Sequence, residues 1–180
     1  LRRDELSSDR IGNIISQANA RVLKHAEEEP SLGGMGTTLS ALAVDLAAAR
    51  AFLAQVGDSR IYRLRADHLA CLTFDHYFAQ DLVRTGVVDA SRARLLPDAN
   101  ALTRVIGLED FPGPEITVEE VLRGDLYLLC TDGLTNVLKE REICALINTK
   151  DLELSARQLV DATKARGAPD NVTMVLARFD

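Results

Sequence analysis

The sequence is poor in several features that would point to particular protein classes. It has no tryptophan, and aromatic residues make up only 4% of its 180 positions, so the core must be built from aliphatic side chains. No apolar run reaches the ~20 residues that a membrane-spanning helix needs, and no signal peptide is visible at the start. Runs of Lys and Arg are also missing, and the formal net charge is -6. These absences predict no membrane segment in this chain and no nucleic-acid partner.

Cysteine is scarce as well. Cys71, Cys130 and Cys144 lie in apolar stretches and lack the spacing of a metal site. An odd number of cysteines cannot form a complete disulfide framework. We interpret all three as small buried hydrophobic residues in a reducing compartment, which predicts a cytoplasmic protein.

What is present is typical of one compact domain with a substantial core, since 47% of the residues are hydrophobic and 27% are charged. Apolar residues at helical spacing predict a helix over residues 4–27, which Pro30 and the following glycines end. From residue 37 to 73 the pattern changes to four short strands. Because the joins between them are short, we predict antiparallel hairpins that form a β-meander.

The second half of the sequence alternates between helical and strand patterns. Residues 75–96 are predicted to be helical, with an interruption at Gly86 and a new turn capped by Asp89 or Ser91. Strands are predicted at "EITVEEVL", "GDLYLLCTD" and "NVTMVLARF", and helices at "EREICALINT" and "DLELSARQLVDATKARG". Strands in a block with helices beside them predict an α+β fold with antiparallel sheet.

Three acidic residues adjoin predicted strands. Asp132 ends one strand, Asp170 precedes the last strand, and Asp75 follows an earlier one. If the strands beside Asp132 and Asp170 pair antiparallel, both carboxylates lie on one rim of the sheet. Clustered carboxylates suit hard cations such as Mg²⁺ or Mn²⁺, and Gly133 would leave room for one. On these features alone, ordinary turn chemistry is the more favoured alternative.

Six stretches of the sequence, in order, resemble the bacterial form of the metal-dependent serine/threonine protein phosphatases of the 2C type, the PPM family. The similarity extends from about residue 12 to 179. One such motif is weak evidence, whereas six in order are specific. The stretches are "GMGTTLSAL" (34–42), "VGDSRIYRLR" (56–65), "LTFDHYFAQDLV" (72–83), "NALTRVIG" (100–107), "LLCTDGLTN" (128–136) and "APDNVTMVLA" (168–177).

The resemblance implies a fold and an activity. The fold would be two packed antiparallel sheets with helices on both outer faces, a four-layer αββα arrangement in which residues 1–180 form a single phosphatase-like domain. Residues 76–98 would form a mobile flap at the substrate cleft. The activity would be hydrolysis of phosphoserine and phosphothreonine by water activated at a binuclear Mn²⁺ or Mg²⁺ centre. Partners would be phosphorylated proteins and a cognate serine/threonine kinase.

The resemblance also implies roles for individual residues. Asp132 and Asp170 fall on ligands of the binuclear centre, and Asp75 falls on the carboxylate that helps to hold a third, weaker metal. Asn136 stands where many relatives carry another acid, which would weaken that third site.

Two further residues are interpreted as structural. Asp58 falls in a motif position that forms a turn and makes hydrogen bonds, so we expect no metal ligand there. His76 is the histidine closest to the predicted site. A lone exposed histidine usually has no catalytic role, and this is the interpretation we give it.

The chain also departs from the family pattern. It has no Asp-Gly-x-Gly-Gly-His stretch, which in relatives supplies the aspartate that bridges both metals, and it lacks the arginine that grips the phosphate. No catalytic residue is therefore assigned. We expect that two strands of the sandwich are missing from these 180 residues. The alternative function is a catalytically inactive pseudophosphatase that acts as a binding or regulatory module.

Overall fold

The structure, a computed structural model, describes residues 6–93 and 95–180. The predicted helices and strands occur in the expected order, and the structure adds a short helix over Asp132–Thr135, where a strand end was expected. The predicted start of the first helix at residues 4 and 5 lies outside the described residues. The elements are α1 (Ser8–Glu28), a 3₁₀ turn (Pro30–Leu32), β1 (Leu39–Asp45), β2 (Arg50–Val56), β3 (Arg60–Arg65), β4 (His68–Cys71), α2 (Phe78–Arg84), α3 (Ala90–Ala93), β5 (Glu115–Glu120), β6 (Leu126–Cys130), α4 (Asp132–Thr135), α5 (Glu140–Leu146), α6 (Leu152–Ala165) and β7 (Met174–Arg178).

The strands form two antiparallel sheets with the orders β1-β2-β5 and β4-β3-β6-β7. This confirms the α+β class. The prediction of a single meander is wrong, because β2 and β3 belong to different sheets. The chain crosses between them at Gly57, whose φ of +93° puts it in the region that favours glycine, and whose Cα packs directly against Thr38.

Three apolar clusters hold the layers together. The cluster between the two sheets contains Ala51, Leu53, Ile61, Val121 and Tyr127. A second cluster joins the outer face of the larger sheet to α4, α5 and α6, with Tyr62, Leu128, Cys130, Leu134, Leu138, Ile143 and Leu159. A third lies under α1, with Ile15, Ala54, Val56 and Ile106. Helices therefore cover both outer faces, as the resemblance implies.

The segment that was predicted to be helical over residues 75–96 is shorter and broken in two. Helix α2 begins only at Phe78, and Gly86 ends the turn after it with a φ of +73°. Asp89 then caps α3, because its Oδ1 accepts hydrogen bonds from the backbone N–H groups of Ser91 (3.0 Å) and Arg92 (3.1 Å). The prediction of Asp89 as a cap is confirmed.

The cysteines are all free, but they are not all buried. Cys130 is buried, Cys144 is partly exposed and Cys71 is exposed. The interpretation of three buried thiols is wrong for Cys71, because it ends β4, which lies at the edge of its sheet.

Within residues 6–93 and 95–180, no helix combines the length and the apolar content that a bilayer crossing requires.

Candidate metal-binding site

Asp132 and Asp170 lie on the same rim of the larger sheet. Strands β6 and β7 pair antiparallel, with Cys130 opposite Met174. Asp132 follows the end of β6 closely and Asp170 precedes the start of β7, so both come from one end of the pair. The antiparallel pairing that the predicted common rim requires is therefore present.

Thr131 ties the two segments together just before Asp132. Its backbone N–H donates to the carbonyl of Thr173 at 3.1 Å, and the N–H of Thr173 donates to Oγ1 of Thr131 at 3.1 Å. The same hydroxyl donates to the carbonyl of Asn171 at 3.3 Å. These bonds fix the chain on both sides of the rim, so the two carboxylates are held by backbone geometry.

Gly133 has a different role from the one that the sequence suggested. The backbone carbonyl of Asn171 packs so closely against Gly133 that a Cβ could not fit between them. The expected free space for a cation at this glycine is thus occupied by the segment that carries Asp170. Glycine is needed here because the absence of a Cβ lets the start of α4 contact the segment before β7.

The rim is electrostatically strained by like charges. The pKa of Asp132 is raised, first by burial and then by repulsion from Asp58 and Asp170. Polar neighbours partly compensate, since Nδ2 of Asn136 donates to Oδ2 of Asp132 at 3.1 Å. Asp170 accepts a bond at 2.7 Å from the N–H of Asn171. A bound cation would relieve this repulsion more effectively than these neutral donors.

The donor chemistry fits a hard divalent cation but does not complete a site. Among the described residues, Asp58, Asp132 and Asp170 take part in no ion pair. Across residues 6–93 and 95–180, no three Asp, Glu, His or Cys side chains lie close enough together to hold a metal. The pair of carboxylates would need further ligands to form a full coordination sphere.

Asp75 is engaged elsewhere. Its Oδ1 accepts from Nε of Arg60 at 2.8 Å and its Oδ2 from Nη2 at 2.6 Å, and the Asp75 side chain is only 3% exposed. This two-point ion pair raises the pKa of Arg60. The role of Asp75 in holding a third cation stays a prediction, and the contact that the structure gives it is with Arg60.

His76 is buried, so its interpretation as an exposed histidine is wrong. Its Nδ1 accepts a 3.0 Å hydrogen bond from the N–H of Gly57, which places the ring proton on Nε2. Nε2 lies 3.4 Å from Oε2 of Glu115, and Arg84 at the end of α2 donates to the same oxygen at 2.9 Å. Burial, and then Arg104, lower the pKa of His76. His76 therefore anchors the chain structurally as a neutral imidazole.

Asp58 accepts a 2.7 Å hydrogen bond from the hydroxyl of Tyr77. The structure thus agrees with the prediction that Asp58 is a turn residue that makes hydrogen bonds. Tyr77 itself was not singled out from the sequence. The contact forms only when the fold brings two separate motifs together, "GDSR" at 57–60 and "DHY" at 75–77. The only sequence signal for it is that both motifs belong to the same family resemblance.

A cleft of about 630 Å³ lies next to this region, between β3 and the segment that carries α2 and α3. Its walls combine apolar residues with two arginines, and they include Arg60, Phe74, Asp75, Tyr77, Ala79, Gln80, Val83, Arg84, Ala90, Ala93, Ala99 and Asn100. Phe74 is 64% exposed at its edge. The cleft shares Tyr77 with the surroundings of the acidic rim.

Comparison with known proteins gives a consistent group of relatives, although no protein-family model matches the chain. Over 172 residues it is 38% identical to the serine/threonine phosphatase stp of Listeria monocytogenes, which covers 94% of this chain and 67% of that protein. Over 177 residues it is 34% identical to the serine/threonine protein phosphatase PstP of Mycobacterium tuberculosis. That match covers 97% of this chain but 34% of PstP, so the chain spans about a third of that relative's length.

Solved structures of serine/threonine phosphatases have the same fold. The catalytic domain of a PstP in complex with two manganese ions superimposes on this chain with a TM-score of 0.81 at 32% identity, over 98% of this chain and 75% of that chain. The similarity therefore extends through both sheets and the helices that cover them.

Proposed function

The chain belongs to the PPM family of serine/threonine protein phosphatases, and on that basis we propose that the complete protein hydrolyses phosphoserine and phosphothreonine in proteins. The reaction uses water activated at a binuclear centre of divalent cations. The observation that carries the proposal is the rim itself, where backbone contacts hold Asp132 and Asp170 together and no described residue forms a neutralising ion pair with either.

Asp132 and Asp170 are the proposed ligands from this chain. Manganese is the favoured cation, since a related PstP structure contains two manganese ions, and magnesium is the alternative. Bound there, such cations would supply the acidification of a water and the neutralisation of phosphate charge that hydrolysis needs. Asn136 orients the Asp132 carboxylate through its hydrogen bond. The described residues group no three Asp, Glu, His or Cys side chains that could hold a metal, so water, backbone carbonyls or other parts of the protein would complete the coordination.

Residues 76–98 are proposed to act as the flap that borders the substrate. The cleft between β3 and this segment has room for part of a peptide chain beside the rim.

Residues 1–180 would belong to a single phosphatase domain. We propose a cytoplasmic location, a third and weaker cation near Asp75, and a serine/threonine kinase that phosphorylates the same proteins.

Hydrolysis by the complete protein tests this function. We expect turnover of a phosphothreonine peptide and of p-nitrophenyl phosphate that depends on added Mn²⁺ and is lost on chelation. Turnover without divalent cations, or none with them, would contradict the proposal.

The second candidate is a pseudophosphatase that binds a partner without catalysis. It is favoured by the absence of a complete metal-binding group among the described residues. The coding sequence upstream of Leu1 discriminates between the two. An Asp-Gly-x-Gly-Gly stretch there would supply the missing bridging carboxylate and leave this candidate without support.

A further inference from the structure

Tyr77 joins two parts of the molecule that are distant in sequence. It directly precedes helix α2, and its backbone forms an isolated bridge with Leu102 on the segment that returns from the flap. Its hydroxyl donates a 2.7 Å hydrogen bond to Oδ2 of Asp58, in the turn where the chain crosses between the sheets. The side chain of Tyr77 thus connects the flap to that turn.

Asp58 lies at the same end of the sheet as the proposed ligands. Arg60 at the start of β3 pairs with Cys130 at the end of β6. Asp58, just before Arg60, and Asp132, just after Cys130, therefore share one rim. Tyr77 is thus bonded to a carboxylate on the rim that carries a proposed metal ligand.

The orientation of the Asp58 side chain decides how much of its field reaches the rim. A carboxylate that rotates into water is screened by solvent and salt, whereas one held against the protein is screened less. The backbone before it is already fixed, because Gly57 packs against Thr38. Side-chain rotation is the freedom that remains, and the charge-assisted hydrogen bond from Tyr77 restricts it.

We propose that Tyr77 is a positioning residue that couples the flap to the metal site. By holding Asp58 at the rim, it strengthens the negative field that favours a divalent cation beside Asp132. The same hydrogen bond docks the start of α2. Such coupling is reciprocal, so a cation that prefers the docked arrangement shifts the flap toward it. This inference rests on the proposed function, since it requires a cation at Asp132 and Asp170.

The test compares Tyr77→Phe with wild type in the complete protein. Phenylalanine keeps the ring and removes the one hydrogen bond. Calorimetric titration should show Mn²⁺ binding about threefold to tenfold weaker, a change within the free energy that one hydrogen bond can contribute. Asp58→Asn should weaken Mn²⁺ binding at least as much. Hydrogen exchange supplies a readout independent of activity: Mn²⁺ should slow exchange at the amides of residues 78–84 in wild type, and most of this slowing should be lost in Tyr77→Phe.

Tyr127→Phe is the matched control. Its buried hydroxyl has no hydrogen-bond partner among the residues that the structure describes, so the same chemical change should leave Mn²⁺ affinity and flap exchange as in wild type. Lower melting temperature of Tyr77→Phe with unchanged Mn²⁺ affinity would assign Tyr77 a purely structural role and overturn the coupling. If wild type itself binds no Mn²⁺, the proposed metal centre fails, and the coupling fails with it.

Discussion

The backbone carbonyl of Asn171 packs against Gly133 and leaves no space for a Cβ at that glycine. This contact joins the start of α4 to the segment before β7, and each of the two carries one of the proposed ligands. The glycine that follows Asp132 is therefore a requirement of loop packing, and through that packing it sets the separation of the two carboxylates.

Gly133→Ala is expected to force the start of α4 away from the segment that contains Asn171. Overpacking of this kind typically costs about 1–3 kcal/mol of unfolding free energy, and we expect Mn²⁺ affinity to fall with it. The matched control is Gly12→Ala in the second turn of α1, where the added Cβ meets only Ile116 at an ordinary 3.8 Å. Removing a helical glycine there should raise stability by about 0.5–1 kcal/mol. Urea denaturation measures both changes, and equal behaviour of the two variants would contradict the packing argument.

Charge removal at the predicted ligands should have opposite effects on the stability of the metal-free protein. Asp132→Asn removes a carboxylate that burial and like charges disfavour, so its melting temperature in chelator should equal or exceed that of wild type. Asp75→Asn weakens a buried ion pair with Arg60, so its melting temperature should fall. Thermal unfolding in EDTA compares them directly, and a lower melting temperature for Asp132→Asn would argue against unrelieved repulsion at the rim.

Mn²⁺ titration of the same variants addresses the metal site itself. In the complete protein, Asp132→Asn and Asp170→Asn should each weaken cation binding and abolish phosphatase activity, because a neutral amide does not offset the cation's charge. Asp75→Asn should leave the binuclear pair mostly in place. Unchanged Mn²⁺ affinity in both of the first two variants would mean that these aspartates only form turns.

Local sequence patterns predicted the two strands next to Asp132 and Asp170, because alternation, chain length and turn residues are local properties. They did not predict that Asp132 begins the short helix α4. The contacts of Asp75, His76 and Tyr77 were not predicted. His76 and Tyr77 reach partners in the turn between β2 and β3, and Asp75 reaches Arg60 at the start of β3. That turn connects two sheets rather than two neighbouring strands. Short joins look the same in both cases, so neither the crossing nor the burial of His76 follows from spacing alone.

The buried ion pair of Asp125 with Arg65 gives a prediction for acid. Oδ1 and Oδ2 of Asp125 accept from Arg65 at 2.7 and 2.6 Å, and Oδ2 also accepts from the N–H of Leu122 at 2.8 Å. Burial by itself would raise the pKa of Asp125, but these donors outweigh it and hold the pKa below its ordinary value of 3.8. The unfolded chain therefore takes up the proton first as the pH falls. The stabilisation is complete above that ordinary value and is lost as the pH falls through the folded-state pKa.

Asp125→Asn separates this contribution from other titrations. At neutral pH the variant should be less stable by on the order of 3 kcal/mol, since Arg65 loses its charged partner. Between pH 5 and 3 it should lose less further stability than wild type. Chemical denaturation across that range gives the comparison, and parallel pH profiles would show that Asp125 does not contribute to acid sensitivity.

The last strand leaves an apolar side chain in an unusual place. Val175 pairs with Leu129, which packs in the cluster between the two sheets, so Val175 lies on the inward-turned face of β7. It is nevertheless 57% exposed, and β7 is an edge strand. Exposed edges with apolar side chains favour pairing between chains. The 180 residues expressed alone are therefore expected to self-associate.

Val175→Lys should reduce this association, because a lysine on an edge strand opposes strand pairing through its charge and solvation. Leu46→Lys is the matched control, since Leu46 is 76% exposed in the turn between β1 and β2 and lies on no strand. Size-exclusion chromatography with light scattering at several concentrations should show a smaller mass for Val175→Lys than for wild type, and no change for Leu46→Lys. A monomeric wild-type chain, or equal effects of both lysines, would mean that the β7 edge is not what drives association.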